Sequence, residues 1–237
     1  MFFFASNENL KKMFHQLSFR GLEVLTVLGS GDQFFHLYEH GATLVDTFDS
    51  NLLACYYFFI RLWTIRYLDS YYPEDNLSHS FIRELLSNVR PSNDQEDRAY
   101  QFWDLYTRTF QNSMTKYIMY RNGRKDSNRI MNLEGIQKKT KQVPNVTCLD
   151  ISKPIEGVSK RYDLIITSNL SEYFSYSKPK LQIYKDNLLR LLKDKGFVLS
   201  TSLMFQEVPS REREVFDSQF RFAVLSETDG GYVYIKK

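Results

Sequence analysis

Two short stretches near the start of the chain carry the residue types that can grip a nucleoside. Gly29-Ser-Gly-Asp32 follows the apolar run Val24–Leu28, and Asp49 closes a second apolar run, Ala42–Phe48. Glycines at such a turn carry no Cβ, so Gly29 and Gly31 let backbone N–H groups come close to a ligand, with Ser30 between them. Ser30 or Asp32 is placed to cap the helix that must follow. Asp49 stands about twenty residues beyond the first glycine, where a carboxylate can accept from both ribose hydroxyls. A glycine turn of this kind also occurs simply to close a loop, and both readings stand on these residues alone.

The elements that would position these groups are legible from the pattern. Val24–Leu28 is rich in β-branched and aliphatic residues, as a parallel strand covered on both faces requires. The third glycine of a dinucleotide fingerprint would fall at Phe34, whose bulk blocks close packing under a pyrophosphate and argues against NAD or FAD. An adenosine cofactor without phosphates remains, and S-adenosylmethionine is the common one. Further on, Val146–Asp150, Tyr162–Ser168 and Gly196–Ser202 read as strands. Lys180–Leu192 is an amphipathic helix, terminated by Asp194-Lys-Gly196. Phe220–Leu225 and Tyr232–Lys236 flank Asp229-Gly-Gly231, a hairpin signal. The expected fold is α/β: a Rossmann-like, seven-stranded, mostly parallel sheet ending in an antiparallel hairpin.

Over residues 18–55 and 143–237 this series resembles the class I S-adenosylmethionine-dependent methyltransferase-like superfamily. Leu28-Gly-Ser-Gly-Asp32 is similar to its first motif, under the methionine part of the cofactor, and Asp49 to its ribose-binding acid, with Ser50 and Asn51 beside it. Asp150-Ile151 is similar to the pair that reads the adenine amino group and flanks its ring. Ser168-Asn-Leu-Ser-Glu172 matches the loop after the fourth strand that faces the sulfonium, with Ser168 and Asn169 at the cofactor. A narrower resemblance, in Asp49-Ser-Asn51, Tyr100-Gln-Phe-Trp103 and Asp163–Asn169, is to the family of S-adenosylmethionine:diacylglycerol 3-amino-3-carboxypropyltransferase. The resemblance implies transfer of a methyl or an aminocarboxypropyl group to a small-molecule or lipid acceptor.

Such chemistry asks little of the protein beyond aligning a nucleophile and excluding water. Should the nucleophile need to lose a proton, Glu172 and Tyr173 are the nearest candidates, with Asn169 orienting the acceptor. Glu172 and Tyr173 can equally be the start of the next helix. A protein that keeps the fold and binds a nucleoside or partner without catalysis is a second reading. RNA modification guided by Arg121–Lys125 and Lys138–Lys141 is a third.

The 237 residues, 43% of them hydrophobic, suffice for a single transferase domain over residues 1–237. A helical insertion, residues 73–142, is expected to cap the cofactor mouth between the second and third strands. Within and before it, Leu52–Leu68, Ser78–Val89 and Asp94–Tyr120 read as helices. The aromatic stripe Tyr56, Tyr57, Phe58, Phe59, Trp63, Tyr67, Tyr71 and Tyr72 is assigned to core ahead of a substrate pocket. A balance of 31 basic against 28 acidic residues makes no field that implies nucleic acid. Cys55 and Cys148 lack metal-ligand or disulfide-framework spacing and are read as packing residues, with no metal expected. His36 is expected to face the surface of its helix, and His15, His40 and His79 are scattered. Arg61 and Arg66 interrupt the longest apolar window, so no membrane span is expected and the cytoplasm is the expected location.

Overall fold

A computed structural model describes residues 2–3, 10–15, 17–70, 73, 77–110, 118–119, 132–140, 144–174, 176–201, 210–226 and 231–237. Its central sheet has seven strands: β1 (Glu23–Val27), β2 (Leu44–Asp49), β3 (Val146–Cys148), β4 (Tyr162–Ser168), β5 (Leu192–Thr201), β6 (Phe220–Ser226) and β7 (Gly231–Lys236). Their order across the sheet is β3-β2-β1-β4-β5-β7-β6. All neighbours are parallel except at the last strand in sequence, which runs antiparallel to both β5 and β6. The expected seven-stranded sheet with its antiparallel end is therefore present. The tip of its hairpin, Asp229-Gly230, lies outside the described residues.

β1 is central, and Val24, Leu25, Thr26 and Val27 are all buried because helices cover both faces of the sheet. Alternate residues feed two cores. Val24, Leu164, Ile166, Leu199 and Val233 point into one, which also holds the buried faces of α1 (Leu10–Phe14), α2 (Asp32–Glu39), α3 (Leu52–Leu68), α4 (His79–Asn88) and α5 (Asp94–Thr109). α6 (Leu133–Lys139) adds Ile136 to that core. Leu25, Ile165, Val198 and Tyr234 point the other way, onto α8 (Lys178–Leu191) and α9 (Ser210–Phe216). Five-residue α7 (Leu170–Phe174) links β4 to α8.

The helices start where polar side chains satisfy their first N–H groups. Asn51 accepts from the Leu53 amide at 3.0 Å to open α3. Ser78 does the same for α4, and Asn93 for α5, whose first turn carries Asp94, Glu96 and Asp97. Along the aromatic stripe, Tyr57, Phe58, Phe59 and Trp63 are core residues, while Tyr67 is exposed. Tyr71 and Tyr72 lie outside the described residues.

Several expectations are corrected. The helix beginning at Asp94 stops at Thr109, where Phe110 turns extended, and Ile118–Met119 instead pairs in parallel with Phe2–Phe3. The α8 helix ends at Leu191 because Leu192 already pairs with Tyr162 in the sheet. The segment read as a terminator is a bulge within β5, with Lys195 at a φ of 63°. His36 is fully buried, because α1 packs over α2 and sets Phe14 edge-on to the His36 ring.

Candidate nucleoside-binding site

Four polar segments gather at one edge of the sheet because each follows the carboxyl end of a parallel strand. Gly29–Asp32 follows β1, Asp49–Asn51 ends β2, Asp150–Ile151 follows β3 and Ser168–Glu172 ends β4. These strands are neighbours in the order β3-β2-β1-β4, so residues scattered over the sequence become adjacent. In open α/β sheets that edge is where ligands bind.

Asp49 is the hub. Its Oδ2 accepts from the Gly29 amide at 3.0 Å and its Oδ1 from the Asn51 amide at 2.8 Å. A carboxylate offers about four lone-pair positions, so room remains for an outside donor. Burial raises the Asp49 pKa above the ordinary carboxylate value, and the Asn51, Gly29 and Ser50 amides work against that rise. Gly29 has a φ of 51°, and a Cβ built there would meet nothing within 4 Å among the described residues, leaving its face open beside the acid. An open glycine face next to a partly satisfied, half-buried carboxylate fits a sugar hydroxyl.

Gly31 has the opposite surroundings. Its φ is 85°, and a Cβ would stand 3.0 Å from the Phe58 ring and 3.7 Å from Arg61 Nη1. This glycine is required by the packing beneath the turn rather than by space above it. Gly31 itself is the N-cap of α2 and Asp32 its first residue rather than its cap, while the Ser30 hydroxyl accepts from the Asp32 amide at 3.4 Å, as expected of one of the two candidates. Beneath the turn lies Arg61. Its Nη1 donates to the Ser30 carbonyl at 2.6 Å and to Asp32 Oδ1 at 2.7 Å, and both charged side chains are fully buried. Ser30 Oγ donates to Asp32 Oδ2 at 3.0 Å. The guanidinium lies 5.1 Å from the centre of the Phe35 ring. The turn thus rests on an ion pair reaching up from α3.

On the β3 side, Asp150 Oδ1 accepts from the Ser152 amide at 3.0 Å and hydroxyl at 2.7 Å, with Lys153 Nζ 3.4 Å from Oδ2. Burial pushes the Asp150 pKa up, but these partners outweigh it and hold the carboxyl below its ordinary value. Ile151 is 2% exposed and packs into the core with Leu25, Val27 and Phe48.

On the β4 side, Ser168 adopts a φ of 52°, and its hydroxyl lies 3.4 Å from Asn169 Oδ1. Asn169 Nδ2 is 3.4 Å from Glu172 Oε2. Both Glu172 and Tyr173 stand on α7, Glu172 buried and Tyr173 65% exposed. Next to them lies a polar cluster that the sequence did not suggest. Ser171 Oγ is 2.9 Å from the Tyr232 hydroxyl, which donates to Glu212 Oε1 at 3.2 Å. Burial pushes the Glu212 carboxyl up to about 7 against those hydrogen bonds, and the neighbouring Glu172 charge adds to the rise.

No protein-family model matches the sequence, and no curated protein matches it. Solved structures do match. The glycopeptide N-methyltransferase MtfA aligns over 100% of this chain and 92% of its own, with a TM-score of 0.51 and 9% identity. Its complex with S-adenosyl-L-methionine aligns over 99% and 95%, with a TM-score of 0.50 and 9% identity. A TehB-like SAM-dependent methyltransferase from Corynebacterium glutamicum aligns over 97% and 88%, with a TM-score of 0.50 and 11% identity. The chain has the class I methyltransferase fold.

In this fold the residues found only in three dimensions are Arg61 and the Glu212 cluster. Arg61 carried a signal: an arginine inside an apolar helix needs a buried acid, and so does Arg66, whose Nη1 bonds Glu96 at 2.7 Å. Glu96 also accepts from Trp63 Nε1 at 3.1 Å and the Ser92 hydroxyl at 2.7 Å. Of the basic stretches, Arg121–Lys125 and Lys141 lie outside the described residues, as do Tyr117 and Tyr120. Lys138 pairs with Glu134 at 2.6 Å and Lys139 donates to the Tyr38 carbonyl at 2.5 Å. The cysteines are not two packing residues, since Cys55 is buried and Cys148 exposed. Among the described residues, no helix is long and apolar enough to cross a membrane.

Proposed function

We propose that the protein is an S-adenosylmethionine-dependent transferase that moves the methyl group to an acceptor. The observation that carries this reading is Asp49, hydrogen-bonded to the first glycine of the turn on one side and to the start of α3 on the other, with open space above Gly29. Asp49 would hold the ribose hydroxyls. Gly29, Ser30 and Gly31 would lie against the methionine part, Ser50 and Asn51 beside the ribose, and Asp150 and Ile151 at the adenine. The bound cofactor supplies a carbon already activated by its sulfonium.

The chain's own residues then need to orient the acceptor and exclude water. Ser168 and Asn169, at the end of β4, are the groups we assign to the reacting side. Glu172 is positioned to hold the Asn169 amide rather than to meet solvent. Tyr173, largely exposed, is the candidate to take a proton from an acceptor.

Calorimetry of S-adenosylmethionine binding tests the reading, with Asp49→Ala and Gly31→Val beside the wild type. Micromolar binding lost in Asp49→Ala supports it, provided circular dichroism shows that variant folded. Absence of binding at millimolar ligand overturns it. Product analysis then separates the two transfers, since methyl transfer leaves S-adenosylhomocysteine and aminocarboxypropyl transfer leaves methylthioadenosine.

A further inference from the structure

The end of α2 reads His36-Leu-Tyr-Glu-His40, two histidines four apart with an acid three residues after the first. At about 100° per residue, positions 36, 39 and 40 fall within an arc of about 100° on one face of the helix. The fold gathers their polar atoms. One ring nitrogen from each histidine and one carboxylate oxygen of Glu39 all lie within 4.8 Å of one another. His36 Nδ1 is 3.3 Å from Glu39 Oε2. That is longer than a charge-assisted hydrogen bond of about 2.7–2.9 Å. It matches the edge, about 3.3–3.5 Å, of a tetrahedron whose corners lie about 2.0–2.2 Å from a central zinc.

The surroundings suit an ion as well. His36 is fully buried, whereas Glu39 and His40 are half-buried, so an ion here would meet protein on one side and water on the other. His40 Nδ1 bonds the His36 carbonyl at 2.9 Å. A carbonyl only accepts, so Nδ1 carries the proton, and the neutral ring keeps its lone pair on Nε2, as in a metal-binding histidine steadied by a backbone oxygen. Phe14 stands edge-on to both rings, 6.4 Å from His36 and 6.0 Å from His40, and Phe19 edge-on to His40 at 6.4 Å. These apolar rings hold the imidazoles in place.

We propose that His36, Glu39 and His40 bind a divalent transition ion of the zinc class, with water completing the tetrahedron. Two imidazoles and one carboxylate suit zinc or cobalt, whereas magnesium and calcium take oxygen ligands. This departs from the expectation of no metal, which follows from the cysteines and treats the histidines as scattered. The site is independent of the proposed transfer reaction. α2 starts at the nucleoside edge of the sheet, and His40 lies about 12 Å further along its axis, where the chain turns back toward β2. There the Phe19 amide donates to the His40 carbonyl at 3.4 Å. The ion would fasten the end of α2 where α1 and the segment entering β1 meet it, so its work is structural.

The test uses the full chain, free of any histidine tag and stripped with EDTA. It is titrated with zinc chloride by calorimetry and melted with and without the ion. Expected are one zinc per chain with a micromolar or lower Kd, and a Tm higher by roughly 5–10 °C at a hundredfold excess of free zinc over Kd. Cobalt(II) should bind in the same ratio and show the intense visible absorption of a tetrahedral ion. His40→Ala and Glu39→Gln, both at half-buried positions, should fold by circular dichroism yet lose about tenfold or more in zinc affinity, and the Tm shift with it. Cys148→Ser, which removes the exposed thiol, should bind zinc as the wild type does. No binding at submillimolar zinc overturns the proposal, and so does binding that both His40→Ala and Glu39→Gln leave unchanged. Zinc bound at these residues without a rise in Tm overturns the structural role.

Discussion

Replacing Arg61 by methionine keeps the length and apolar stem of the side chain but leaves the Asp32 carboxylate without the guanidinium 2.7 Å away. Both side chains are fully buried, so water does not take its place. Breaking a buried pair from one side costs about 3–5 kcal/mol, because the surviving charge stays desolvated. A domain of this size loses roughly 2–4 °C in Tm per kcal/mol, so the variant should melt roughly 6–20 °C lower. The Ser30 carbonyl also loses its donor at 2.6 Å, so the turn over the site should loosen and S-adenosylmethionine affinity fall. Urea unfolding at neutral pH measures the stability. The decisive arm is the double variant Arg61→Met with Asp32→Asn. It removes the stranded charge while leaving an acceptor for the Ser30 hydroxyl, which bonds Asp32 Oδ2 at 3.0 Å. It should recover about half or more of the loss, an interaction visible in a double-mutant cycle. A single variant that loses less than about 1 kcal/mol, or a double variant no better than the single, would refute the assignment of this pair as the support of the turn.

The two glycines should separate in opposite ways. Gly31→Ala forces a side chain into φ 85° and against Phe58 at 3.0 Å, and should lose about 2 kcal/mol or more in chemical denaturation. Gly29→Ala meets no atom of the described residues beyond its chain neighbours, so it should cost only about 1–2 kcal/mol of backbone strain while weakening S-adenosylmethionine binding at least tenfold by calorimetry. Glu212 makes stability depend on pH: a carboxyl raised from 4.5 to about 7 in the fold contributes fully below its unfolded pKa and is lost as pH rises through the folded one. Melting temperature should therefore fall between pH 5 and 8 in the wild type, by an equivalent of about 3 kcal/mol at most, and stay level over that range in Glu212→Gln. Glu96→Ala strands the Arg66 charge and the Trp63 N–H together, and a urea titration should show a loss of about 3–5 kcal/mol.

What the sequence shows of this fold follows from the range of the forces involved. Tyr162–Ser168 and Leu52–Leu68 were readable to the residue, because apolar runs are local signals. The glycine turn and Asp49 were readable because spacing along the chain sets them. Arg61 was seen only as a charge spoiling an apolar window, since its partner Asp32 lies a whole strand and helix away. His36 was misplaced because its cover, Phe14, comes from a helix with no pattern of its own. The early start of β5 depends on the Lys195 bulge, and Ile118–Met119 on pairing with the first residues of the chain. Each of these is a contact between segments, which one-dimensional periodicity does not record.

The edge strand β3 has consequences for the order of assembly. Its three residues pair with β2 alone, across a separation of about a hundred residues, whereas β1 meets β2 after a single helix. Closing so long a loop for so few backbone bonds is a late event in folding, favourable only after the aromatic helices between the strands have packed. The β3 wall of the candidate site would then be the last part of the molecule to form and the first to open. Hydrogen exchange should find the Val146–Cys148 amides released well before those of Val24–Val27, although the two strands flank the same β2.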